Sequence, residues 1–103
     1  MSRLEQLHKL LAADPQDADV AYMIAQEHAK AGEHMAAVEW YDRCLALSPH
    51  YHYAYFHKAR ALEEADDIPA AVATLRSGLA MARSAGDAKA TSEIGGYLDQ
   101  LGD

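Results

Sequence analysis

Apolar residues recur along this chain at helical spacing, in blocks separated by short polar breaks. Leu4, Leu7 and Leu11 form one stripe, Val20, Ile24, Ala25 and then His28 a second, and Ala37, Tyr41, Cys44 and Leu45 a third. Steps of three and four place each set on one face of an α-helix. The breaks carry helix punctuation. Gly32 lies where a helix end favours positive φ. Asp66 takes the corresponding place further on, Asp being one of the few residues that tolerate that conformation. Asp17 is placed to cap the helix after Pro15, and Pro69 falls in a first turn, where its missing N–H costs nothing. The pattern predicts six helices, at about 2–13, 17–31, 34–47, 51–65, 68–85 and 87–101.

The blocks also repeat. Leu11-Ala12-Ala13-Asp14-Pro15 returns as Leu45-Ala46-Leu47-Ser48-Pro49, 34 residues later. The same shift sets Ala70-Ala71-Val72 under Ala36-Ala37-Val38, and Gly78-Leu79-Ala80-Met81 under Cys44-Leu45-Ala46-Leu47. Each unit reads as a helix–turn–helix hairpin. One hairpin cannot bury its own apolar face, so neighbouring units must stack and share a core.

Composition narrows the picture. The 22 Ala and 11 Leu outweigh eight β-branched residues, which favours helix over strand. With 103 residues the chain holds one ordinary domain. A net charge of −7 opposes approach to a polyanion, so nucleic acid is not expected as a partner. The single Cys excludes an intramolecular disulfide and any multi-cysteine metal site. No apolar run nears the ~18 residues of a span, and no signal-peptide core is present. The expectation is a cytoplasmic protein without a membrane partner.

With period, small residues and Pro in place, the chain resembles the tetratricopeptide repeat (TPR) family, in its small bacterial type. The family pattern is W-x2-L-G-x2-Y, then A-x3-F, then A and P, over 34 residues. The first full unit offers Ala21, Ile24, Ala25, His28, Gly32, Ala37, Tyr41, Cys44 and Pro49. The second offers Tyr55, Lys58, Ala59, Leu62, Asp66, Ala71, Leu75 and Gly78. Arg83 stands where the repeat-ending Pro would be, so that helix is expected to run on to about Ala85 and stop at Gly86. Thr91, Ile94, Gly95 and Leu98 repeat the first-helix pattern, displaced by two residues. The resemblance implies an all-α, right-handed α-α superhelix of about six antiparallel helices forming one domain over 1–103. Its parts are a partial repeat at 1–15, full repeats at 18–51 and 52–85, and a terminal capping helix at 87–101.

In this family the first helices of successive hairpins line a concave groove. That register puts Asp19, Tyr22, Gln26 and Lys30 there from the first unit, and Tyr53, Phe56, Arg60 and Glu63 from the second. The terminal helix adds Lys89, Ser92, Gly96 and Asp99. Tyr22, Gln26, Tyr53, Phe56, Arg60 and Lys89 are the candidate binding residues, since rigid aromatics beside cations make binding hot spots. The competing reading is that the aromatics support neighbouring helices. Repeats that hold the acidic C-terminus of heat-shock chaperones use a clamp of Lys, Asn, Asn, Lys and Arg. The corresponding residues here are Tyr22, Gln26, His57, Lys89 and Glu93. Only Lys89 matches and Glu93 reverses the charge, which disfavours a chaperone-tail partner.

Other candidate chemistry is thin. His50, His52 and His57 cluster near one turn, but two convergent ligands at most fall short of the three or four that zinc needs. Cys44 fills a small-residue slot that its repeat-mate fills with Gly78, so an inert thiol is expected. Lys58 stands where the family has Leu, and either snorkels to water or meets Glu39 or Asp42. No cofactor and no enzymatic activity are expected. The leading expectation is a scaffold that holds a peptide segment or partner protein in its concave groove. The alternative is a self-assembling subunit, a homodimer formed through apolar surface such as Leu10 at the solenoid end, and a His-based metal protein ranks last.

Overall fold

The computed structural model describes residues 1–102; the domain boundary expected at 103 lies outside them. Six helices follow one another: α1 (Arg3–Ala13), α2 (Ala18–Lys30), α3 (His34–Leu47), α4 (His52–Glu64), α5 (Ile68–Ser84) and α6 (Ala88–Gln100). The described residues contain no strand. These helices match the six expected, each end falling within a residue or two, and several of the starts are fixed by capping side chains. Asp17, Asp67 and Asp87 each accept a bond from the backbone N–H three residues on, satisfying a donor the helix leaves unpaired. Pro69 sits in the first turn of α5, as expected. That helix is the longest, running through Arg83, and a turn at Gly86 ends it.

The turns after α2, α4 and α5 close alike. Glu33, Asp67 and Asp87 each donate an N–H to the carbonyl five residues back, at 2.9, 2.8 and 3.0 Å. The residue before each adopts positive φ. At Asp66 this residue is not glycine, and its φ of 62° is the one positive value on a side-chain-bearing residue among those described.

Consecutive helices pack against each other, and α4 also touches α6, so the molecule extends as a stack of 41 × 30 × 17 Å. Small residues let the backbones approach. Ala21, Ala25, Ala37, Cys44, Ala54, Ala59, Ala71 and Ala82 are fully buried, and Tyr41, Ile24, Leu75 and Ile94 fill the wider gaps. Each of these larger side chains contributes about 1.5–3 kcal/mol by leaving water. The closest approach is at Gly78, where a Cβ would stand 2.7 Å from the Cβ of Tyr55. Leu7 and Leu11 pack on Val20 and Ile24, and Trp40 joins this cluster to the main core. The outer side of α1 stays open, with Leu10 55% exposed.

Lys58 resolves to one of its two expected states. Its ammonium lies 2.6 Å from Asp42, and its stem is mostly covered. Cys44 is fully buried. Burial, and behind it the charge of Asp19, pushes its thiol pKa up to about 12, so the reactive thiolate is absent near neutral pH.

Candidate functional site

The first helices α2, α4 and α6 lie side by side along one face, and aromatic residues meet at the two junctions between them. At the α2–α4 junction Tyr22 lies 4.9 Å, centroid to centroid, from Tyr51 and 6.0 Å from His57. Tyr41 closes the cluster from below, 5.8 Å from Tyr22. The Tyr51 hydroxyl donates to Asp19 at 2.7 Å, and Gln26 donates to the Tyr22 hydroxyl at 3.1 Å. Burial raises the Tyr22 and Tyr41 phenols above their usual range. Burial and then the bond to Asp19 do the same for Tyr51. Burial, and after it the Arg60 charge, lowers the His57 pKa, so its imidazole is held neutral among the rings.

The α4–α6 junction is built differently. Phe56 packs on Tyr97 at 5.0 Å, and the Tyr97 hydroxyl donates to the Glu63 carboxylate. Burial, then that bond, raises the Tyr97 phenol, keeping it a donor. Above the two rings lies a pocket of about 400 Å³. Phe56, Arg60 and Glu63 line it from α4, and Ser92, Glu93, Gly96, Tyr97 and Gln100 from α6. The Arg60 guanidinium rests over the Phe56 ring at 5.5 Å, a cation–π contact.

The concave-face register therefore brings Phe56, Arg60, Glu63, Ser92 and Gly96 into one pocket. The other candidates lie elsewhere. Tyr22 and Gln26 belong to the filled α2–α4 junction. Tyr53 is 47% exposed at the start of α4, near Phe56, Ala90 and Ile94. Lys89 projects into solvent and, among the described residues, reaches Glu93 at 4.0 Å. Sequence reasoning passed over Tyr97 and Gln100 as lining residues. The available signal was Tyr97 itself, an aromatic beside Gly96. Tyr22 and Phe56 are both half-buried against the core. Their truncation therefore affects stability as well as the surface.

The histidines do not converge. His50 and His52 stand edge-on, 6.4 Å apart, and His52 turns its Nε2 towards Asp87, at 3.6 Å. Among the described residues no group of three His, Cys, Asp or Glu side chains is arranged to hold a metal ion. No helix among them is long and apolar enough to cross a membrane.

No protein-family model matches the chain. It is 29% identical to a TPR repeat-containing protein of Pseudomonas aeruginosa over 98 residues, covering 95% of this chain and 93% of that one. The solution structure of a TPR domain protein from Salinibacter ruber is 28% identical, covers 86% of this chain and 90% of that one, and superposes with a TM-score of 0.79. In sequence and fold the chain is similar to small TPR proteins. Its all-α helical repeat is also the fold of PcrH, solved in complex with the chaperone binding region of PopD. That likeness has a TM-score of 0.86 at 17% identity, over 95% of this chain and 74% of PcrH.

Proposed function

We propose that this TPR-type protein is a non-enzymatic interaction scaffold that holds a peptide segment or partner protein in the groove formed by α2, α4 and α6. The observation that carries the reading is the α4–α6 pocket, where Phe56 and Tyr97 form an apolar floor beside Arg60. A folded monomer gains nothing in stability from leaving such a space open, whereas a partner's side chain gains a buried seat. The Arg60 guanidinium makes no ion pair among the described residues, so its donors are available to an incoming chain. The same fold accommodates a segment of another protein in PcrH.

The test is to pan a displayed library of unstructured peptides against the protein and measure the selected sequences by calorimetry. Wild type is compared with a Phe56→Ala, Arg60→Ala variant shown by circular dichroism to be folded. Selected peptides should bind wild type and lose about tenfold or more on the variant. Equal binding by both proteins would remove the groove from the account.

A further inference from the structure

We propose that the α4–α6 pocket receives an apolar side chain carried on an extended, positively charged segment of a partner protein, a proposal that rests on the scaffold reading above. The argument begins at Gly96. It lies inside α6, its φ is not positive, and a Cβ built there would meet nothing within 4 Å. Neither backbone conformation nor internal packing requires glycine, yet glycine within a helix is destabilising relative to Ala. Gly78 is the opposite case, since its missing side chain is what lets Tyr55 fit. The absent Gly96 side chain instead clears space above Phe56 and Tyr97. At about 400 Å³ the opening is ample for one large apolar group.

The lining also fixes the charge of the occupant. Glu63 and Glu93 face the pocket against the single cation Arg60. Glu63 has one oxygen engaged by the Tyr97 hydroxyl, and Glu93 reaches Lys89 only at 4.0 Å. Both carboxylates keep accepting capacity for a cation flanking the anchor. The net charge of −7 over the chain adds a long-range field of the same preference. Arg60, laid over Phe56, is suited to backbone carbonyls, which are neutral acceptors. An extended segment offers such carbonyls along its length, whereas a helix leaves only its last four unpaired.

Three capped peptides test this by titration into isotope-labelled protein: Gly-Lys-Leu-Lys-Gly, Gly-Ser-Leu-Ser-Gly and Gly-Glu-Leu-Glu-Gly. The Lys peptide should shift the amides of Ser92, Gly96 and Tyr97 at concentrations about fivefold below those the Ser peptide needs, with added salt closing the gap. The Glu peptide should bind weakest. Gly96→Leu should keep the fold, checked by its melting curve, and lose roughly tenfold in affinity for the Lys peptide. Glu93→Gln should narrow the difference between the Lys and Ser peptides. A Glu peptide that binds as well as the Lys peptide overturns the charge assignment but leaves a partner site in the pocket. Unchanged binding by Gly96→Leu, or no pocket shifts with any peptide, overturns the proposal as a whole. If a library-selected peptide still requires Phe56 and Arg60 in that event, the scaffold reading stands without it.

Discussion

The two junctions along the groove share one backbone frame and differ in side-chain volume. Repeat-equivalent positions run Tyr22, Phe56, Ser92 and Gln26, Arg60, Gly96 from α2 to α6. Between α2 and α4, Tyr22 reaches across to Tyr51 and His57 and fills the space. Between α4 and α6, Phe56 finds Tyr97 below it, but Ser92 and Gly96 send nothing back over the ring. One junction has become core and the other has become a pocket. In a stacked repeat, the architecture sets where a groove runs, and the size of a few groove-facing residues sets where it stays open.

The most damaging way to break this comparison is to remove the frame that both junctions share. A Cβ at Gly78 would stand 2.7 and 2.8 Å from Tyr55 Cβ and Cγ, so Gly78→Leu pushes α5 away from α4. Urea denaturation should show a loss of about 3 kcal/mol or failure to fold. Next comes the contrast between junctions. Tyr22→Ala empties the filled one and should cost about 2 kcal/mol, less than a fully buried ring because Tyr22 is half exposed to the groove. Ser92→Ala at the equivalent open position should stay within about 0.5 kcal/mol.

A pH series sharpens the same point. His57 is tied to the filled junction and has its pKa lowered by burial. The unfolded chain therefore binds this proton more readily than the folded one. The His57 contribution is fully present above the ordinary value of 6.5 and is lost as pH falls from there through the lowered folded-state pKa. His57→Phe should flatten that part of the curve, read as melting temperature against pH. The smallest effect has the opposite sign. Gly96→Ala should raise stability by roughly 0.5–1 kcal/mol, since helix propensity improves and nothing is in the way.

Much of this was legible in the sequence because repeats encode structure locally. The 34-residue period, the cap Asp17 and the turns at Gly32 and Asp66 depend on short stretches of chain, and all appear where the pattern puts them. Phe56, Arg60, Glu63, Ser92 and Gly96 share the pocket because helical register alone carries residues to a common face. What was hidden depends on distances between helices. Whether Tyr22 lies on the surface or plugs a junction turns on Tyr51 and His57 standing within 6.0 Å, which no spacing within α2 encodes. Tyr97 falls at a core position of α6 and meets Glu63 only through the packing of α6 on α4, which no spacing within α6 encodes. Lys89 has the groove register but sits at the exposed start of α6, away from the pocket lining.

The central claim is that, within the groove, a partner anchors at the open junction rather than at the filled one. Its most direct test is a chemical-shift map of labelled protein titrated with a peptide selected from the displayed library. The account expects the largest changes at the amides of Phe56–Glu63 and Ser92–Gln100, with Ala21–Gln26 little moved. Changes concentrated around Tyr22 and Tyr51, or on the open side of α1 around Leu10, would contradict it.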